Sequence, residues 1–279
     1  MSGANNYNYE YFNISFPYEY VAVIEISRPK KLNAFIEVMW LNLSQIFKRL
    51  SHDSDVRAIV LTAEGTERSQ RDWMSSTGGT LMGNEGQDGA RVANKIRRHI
   101  LEFQECITSI EKCEKPVIAA LHGISYGLAL DMTLACDIRL CAQDTRFSVK
   151  EVDIGLAADI GTLTRLPKAN VAMSFIKDVC LTARDFSAQE ALTVGIVSGV
   201  YPTKAKTMEQ ALNTAKLIAS KSPVAVMVTK EALNFARDHS VEDGLKHISI
   251  WNAAYLQTQD VKDAMTAGLQ KRKPKFSKL

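Results

Sequence analysis

The chain has 279 residues, 46% of them hydrophobic and 23% charged, which suits one large globular domain with a sizeable core. Its 34 basic and 31 acidic residues leave a net charge of +3, too mild for a nucleic-acid-binding protein, which usually carries a plain basic stripe. Every apolar run is too short to cross a bilayer, so a membrane span is excluded.

The opening residues, MSGANNYNYEYF, carry neither an apolar signal core nor an Arg-rich presequence, so the protein is expected to stay soluble. Tyr11–Phe16 and Val21–Ile26 read as two strands joined by a turn at Pro17-Tyr18. A helix follows, with Phe35, Met39, Leu43, Ile46, Phe47 and Leu50 on one face. Ala58–Thr62 reads as a buried strand, and residues from about Glu85 to Lys112 carry helical periodicity. Next come a strand at Val117–Leu121, a Gly-bearing turn, an apolar helix over Leu128–Ala135 and a strand at Ile138–Cys141. Ser187 and Glu190 have capping-box spacing. Beyond about Tyr201 only helical patterns remain, at Thr207–Lys221, Val224–Asp238, Val241–Gln257 and near Asp260–Leu269. Strand–helix alternation predicts an α/β core over residues 1–202, followed by a helical region over 203–279.

Cys106, Cys113, Cys136, Cys141 and Cys180 lack the close paired spacings of a zinc site and read as reduced thiols in or near the core. Pro274 should end the last helix and leave the tail exposed. That tail finishes in Ser277-Lys278-Leu279, a tripeptide that serves as a peroxisomal address and implies an import receptor as partner.

Three acids stand out by context. Asp131 lies inside the apolar run Leu128–Met132, and Glu151 and Asp159 flank the mostly apolar stretch 152–158. A carboxyl among Leu and Ala side chains has its pKa raised by desolvation, as a proton shuttle working near neutrality requires. The alternative is that each acid pairs with a basic neighbour such as Lys150, Arg139 or Arg165. His122 reads as a turn or core histidine, and Ser125 lacks the His and Asp partners of a nucleophilic triad. Gly123 and Gly127 can bring backbone N–H groups close to a ligand.

Lys115-Pro116-Val117-Ile118-Ala119-Ala120-Leu121-His122-Gly123, followed by Asp131, Ala135-Cys136-Asp137-Ile138-Arg139 and Phe147, resembles the enoyl-CoA hydratase/isomerase (crotonase) superfamily. Arg28–Phe35 is similar to its first CoA-contacting loop, and the likeness runs from about Tyr20 to Ser240. Within that superfamily, Phe147–Leu163 resembles the Δ3,5-Δ2,4-dienoyl-CoA isomerases, and Asp131, Glu151 and Asp159 fall on their three active-site acids. Ordinary hydratases have Glu in place of Asp131 and no acid in place of Asp159. The resemblance implies an α/β fold of the crotonase type, a spiral of ββα units, with a C-terminal helical region and a trimer or pair of trimers. It implies an acyl-CoA substrate whose CoA is contacted around Lys30, Lys31, Ala34, Gly123 and Gly127, and neither metal nor redox cofactor. Asp159 and Glu151 become the proton shuttles, acting at C2 and C6, with Asp131 assisting or orienting. The enolate oxygen is then held by two backbone donors, one the amide of Leu128 and the other near Trp73.

That second donor falls where this sequence departs from the pattern. Residues 67–77 read ERSQRDWMSST and lack the glycine at which relatives let the backbone approach the thioester. Read two bases later, suitable codons for Glu67–Thr77 give Ala-Phe-Thr-Ala-Gly-Leu-Asp-Val-Phe-Asn, the family's pattern. A local shift of frame explains the departure, and a loop diverged for another reason is the alternative. The coding DNA is expected to spell Gly-Leu-Asp in the shifted frame; bases unable to do so would exclude the first explanation.

Overall fold

The structure is a computed structural model describing residues 7–65 and 88–279. Its organising feature is a sheet whose alternating side chains are buried on both faces. Strands β1 (Phe12–Tyr18) and β2 (Tyr20–Ile26) form a hairpin. Then follow β3 (Val56–Ala63), β4 (Val117–Leu121), β6 (Ile138–Ala142) and β9 (Gly199–Tyr201), all parallel to β2, in the order β1-β2-β3-β4-β6-β9. The first connection departs from expectation. β1 runs through Pro17 and Tyr18 with a break in register there, and the chain turns at Glu19. An edge strand tolerates Pro because its N–H need not join a ladder.

Ala22, Ile24, Ile59, Leu61, Val117 and Ala119 pack against α1 (Glu37–His52) and α2 (Gly89–Lys112). Trp40 of α1 stacks on Phe103 of α2 with ring centroids 3.8 Å apart. Val21, Val23, Ala58, Val60, Ile118 and Ala120 face the other way, onto Ala211, Ala215 and Ala219 of α7 (Lys204–Ala219). Thus α7, although it falls within the expected helical region 203–279, covers the sheet. Each large apolar side chain buried in these layers contributes roughly 1.5–3 kcal/mol. The five cysteines are all free and buried.

A second sheet is built from three very short strands, β5 (Ile124–Tyr126), β7 (Arg146–Ser148) and β8 (Phe186–Ser187). Between and around them lie α3 (Leu128–Ala135), α4 (Thr162–Arg165), α5 (Met173–Thr182) and α6 (Ala188–Thr193). The short strands escape sequence reading, because two or three residues are too few to show a period, and α5 was not expected either. The capping box is present with both halves made, Ser187 Oγ accepting from the Glu190 N–H and the Glu190 carboxylate accepting from the Ser187 N–H.

Three further helices close the chain: α8 (Pro223–Ala236), α9 (Val241–Tyr255) and α10 (Gln259–Leu269). Among the described residues no helix is long and apolar enough to cross a membrane. The tail after Pro274 is less free than expected. The Arg57 guanidinium donates to the carbonyls of Phe276 (2.8 Å) and Ser277 (3.0 Å), and Lys278 pairs with Asp55. The side chains of Ser277, Lys278 and Leu279 are exposed.

Lys230 of α8 ties the helical region to the sheet. Its ammonium donates to Asp137 Oδ2 at 2.7 Å and to the Lys115 carbonyl at 3.1 Å, while the Val117 N–H also donates to Asp137 Oδ2 at 2.7 Å. Burial works against the Asp137 charge, and Lys230 chiefly offsets it. Lys230→Met leaves that charge without its cation and is expected to lower stability by about 3 kcal/mol in urea unfolding.

Candidate active site

The site is assembled around the first turn of α3. Gly127, just before it, has φ 53° and ψ −121°, a conformation available to glycine alone. A Cβ here would also lie 3.2 Å from Glu151 Oε1, so the glycine makes room for that carboxyl. The Gly127 N–H donates to the Ser148 carbonyl at 3.0 Å, locking α3 to β7. Three residues after Ser148, Glu151 begins a 3-10 turn over Glu151–Ile154 and is thereby brought over the start of α3. Leu128 is the first residue of α3, where helix geometry leaves an N–H with no intrahelical acceptor.

Asp131 is 2% exposed and Glu151 8%. One oxygen of Asp131, Oδ1, accepts from both the Thr162 N–H (2.6 Å) and the Thr162 hydroxyl (2.8 Å). Asp159 is exposed, and Gln104 of α2 donates to its carbonyl at 2.5 Å. The loop carrying Asp159 is thus fixed at one end by Asp131 through Thr162 and at its middle by α2.

The three carboxyls lie within electrostatic reach of one another. Burial raises the Glu151 pKa to about 7, helped by the charges of Asp131 and Asp159. Burial raises Asp131 to about 6, against the pull of the Thr162 donors and of Arg165. Asp159 is also raised, by desolvation, with His99 acting in the opposite direction. The expected alternative, pairing with nearby cations, is not what the side chains do. Arg165 pairs with Glu111 at 3.0 Å, Lys150 with Asp185 at 3.2 Å, and Arg139 donates to the carbonyls of Ile196 and Cys136. Glu151 Oε2 has no hydrogen-bond partner among the described residues. Such an arrangement can hold a proton on one carboxyl and accept one at another near neutral pH.

On the other face of α3, Ala129, Met132 and Thr133 line a cavity at the C-terminal ends of β2, β3 and β4. Gly123, His122 and Ser125 also line it. His122 Nε2 lies 2.9 Å from the Gly65 carbonyl and burial lowers its pKa, in keeping with a turn histidine. Beside this cavity runs the loop bearing Lys30, Lys31 and Ala34. Asn33 clamps it, accepting from the Arg28 N–H (2.8 Å) and donating to the Glu64 carbonyl (2.9 Å), with Lys30 and Lys31 exposed. Trp73, the expected second backbone donor, lies outside the described residues. Sequence reasoning gave no part to Thr162 or Gln104, whose partners are 31 and 55 positions away.

The sequence model of the enoyl-CoA hydratase/isomerase family matches residues 17–278. The chain belongs to this family. It is 41% identical over 282 residues to the mitochondrial Delta(3,5)-Delta(2,4)-dienoyl-CoA isomerase of Pongo abelii, covering all of this chain and 86% of that one. It is 40% identical over 255 residues to the peroxisomal Delta(3,5)-Delta(2,4)-dienoyl-CoA isomerase of Arabidopsis thaliana, covering 91% of each. The fold matches the crystal structure of enoyl-CoA hydratase from Bacillus anthracis with a TM-score of 0.84 and 24% identity, over 96% of this chain and 99% of that one.

Glu151 holds its proton more tightly in the folded than in the unfolded chain. Its contribution to stability is therefore full below about pH 4 and is lost as pH rises through about 7. The shift from 4.5 to about 7 corresponds to about 3 kcal/mol at most. Glu151→Gln, which stays neutral, is expected to gain up to that amount over the unsubstituted protein between pH 4 and pH 8, measured by urea unfolding at both.

Proposed function

We propose that the protein is a dienoyl-CoA isomerase of fatty-acid metabolism, converting 3,5-dienoyl-CoA to 2,4-dienoyl-CoA. The observation that carries this reading is the convergence of Asp131, Glu151 and Asp159 within electrostatic reach of one another, with no direct ion pair to any of them among the described residues. The two relatives described above carry the name of this activity.

The chemistry asks for two separated proton carriers. A base removes the C2 proton, the charge spreads to the thioester oxygen, and an acid protonates C6, leaving the conjugated 2,4-diene. Asp159, less buried than Glu151, acts as the base at C2. Glu151, which holds its proton up to about pH 7, acts as the acid at C6. Asp131 orients and charges the site. The Leu128 N–H stabilises the enolate oxygen, the kind of donor whose removal costs ~100- to 1,000-fold. Proton transfer of this kind needs neither metal nor redox cofactor, and CoA enters with the substrate. Lys30 and Lys31 are suited to its phosphates, with Ala34, Gly123 and Gly127 along its path.

The compartment we propose is the peroxisome, reached through recognition of Ser277-Lys278-Leu279 by an import receptor. The assembly we propose is a homotrimer or a pair of trimers. Leu233, Leu245, Ile250 and Met265 support it, as apolar side chains exposed on α8, α9 and α10. One observation favours a second reading, a family member of impaired activity: the charged stretch 67–77 in place of the second backbone donor.

Incubation of the purified protein with 3,5-dienoyl-CoA is expected to produce the absorbance of the conjugated product. Asp159→Asn is expected to lower that rate by roughly 100- to 10,000-fold. A protein that hydrates 2-enoyl-CoA equally well with and without this substitution, and forms no conjugated diene, would instead be a hydratase.

A further inference from the structure

Three carboxyls within electrostatic reach of one another, two of them buried, resist ionising together near neutral pH, so something must decide which of the buried two carries the charge. One residue separates chemically similar acids here. Asp131 receives two donors on one oxygen, whereas Glu151 Oε2 receives none among the described residues. Both donors belong to Thr162, which is 1% exposed at the first position of α4 and points away from solvent.

We propose that Thr162 is a positioning residue for the isomerisation: its paired donors make Asp131, rather than Glu151, the charged one of the two buried acids, and that charge keeps the proton on Glu151. This rests on the reading of Glu151 as the acid at C6. The main-chain N–H can only donate, so Asp131 Oδ1 must stay an acceptor and any proton has to reside on Oδ2. The Thr162 hydroxyl adds a second donor to the same atom, and hydrogen bonds to the charged form of an acid favour that form. The other charged groups facing Asp131 are Arg165, already shared with Glu111, and Asp159, which opposes ionisation. Glu151 faces Asp131 and Asp159, with Cys180 beside it on α5. Asp159 faces His99 on α2. Of these groups only Thr162 discriminates between the two buried acids by direct contact.

Thr162 acts through Asp131, and the same two hydrogen bonds fasten the loop that carries Asp159. One residue therefore sets the charge of one acid and anchors the segment bearing another.

The test uses Thr162→Val, which removes the hydroxyl and keeps shape and N–H, and Thr162→Ser, which restores a hydroxyl. Asp131 is followed by carbon NMR in protein labelled at the aspartate carboxyls, its signal assigned by loss in Asp131→Asn. In Thr162→Val its titration midpoint is expected to rise by about one unit, and in Thr162→Ser to return to that of the unsubstituted protein. Glu151, losing a charged neighbour, then ionises at lower pH. The basic limb of kcat/KM therefore moves to lower pH, with KM unchanged at the low-pH plateau. An Asp131 signal that titrates alike in all three proteins overturns the inference. A merely structural role would lower kcat at every pH and leave the limb in place. Should Thr162→Val fail to fold, the unsubstituted protein decides: Asp131 must ionise before Glu151, and the reverse order overturns the inference. If the Asp131 signal moves as expected and the rate profile does not, the assignment of Glu151 as acid is what fails.

Discussion

The crowding of three carboxyls around the first turn of α3 is the constraint to which the rest of the site answers. Desolvation and mutual repulsion both work against charge there, and the nearby cations are engaged elsewhere, Arg165 with Glu111 and Lys150 with Asp185. The cost is borne by the fold, since acids whose pKa values are raised in the native state detract from stability at neutral pH. What is gained is carboxyls that hold protons closer to neutral pH than unperturbed Asp and Glu do, Glu151 up to about 7 and Asp131 up to about 6.

Holding that arrangement takes a rigid frame on every side. The doubly covered sheet fixes the ends of β4 and β6, between which α3 is strung. The Gly127 N–H bond to Ser148 sets the distance from α3 to the segment that carries Glu151. Gly127 contributes twice, through a backbone conformation closed to other residues and through the space that a side chain would deny to the Glu151 carboxyl. From α2, Gln104 secures the main chain at Asp159. The acids proposed as proton carriers thus stand on segments whose positions are set by core packing and hydrogen bonds, as precise proton transfer demands.

Much of the fold was legible because long elements announce themselves. The helix carrying Met39, Leu43, Ile46 and Phe47 and the strand Val117–Leu121 were readable from period alone, and so were the four helices after Tyr201. The short strands β5, β7 and β8 were not, though they shape the site, because they are held by pairing with one another and carry no pattern of their own. The turn after β1 was misplaced by two residues: Pro17 looks like a turn residue, yet on an edge strand it sits beside a bulge instead. Packing also assigns α7 to the sheet, where a run of alanines lets the helix backbone approach closely.

The candidate acids were visible in the sequence as charges stranded in apolar runs, and their match to a family of acyl-CoA enzymes gave them roles. What the sequence determined by itself was therefore the chemical inventory, three carboxyls and a glycine before an apolar helix, together with the family the chain belongs to. Tertiary structure alone decided which acid is tethered, which carboxyl oxygen is left without a hydrogen-bond partner among the described residues and which cations are drawn away. Those outcomes depend on contacts between residues tens of positions apart, such as Thr162 with Asp131, and no local pattern encodes a hydrogen bond across that distance.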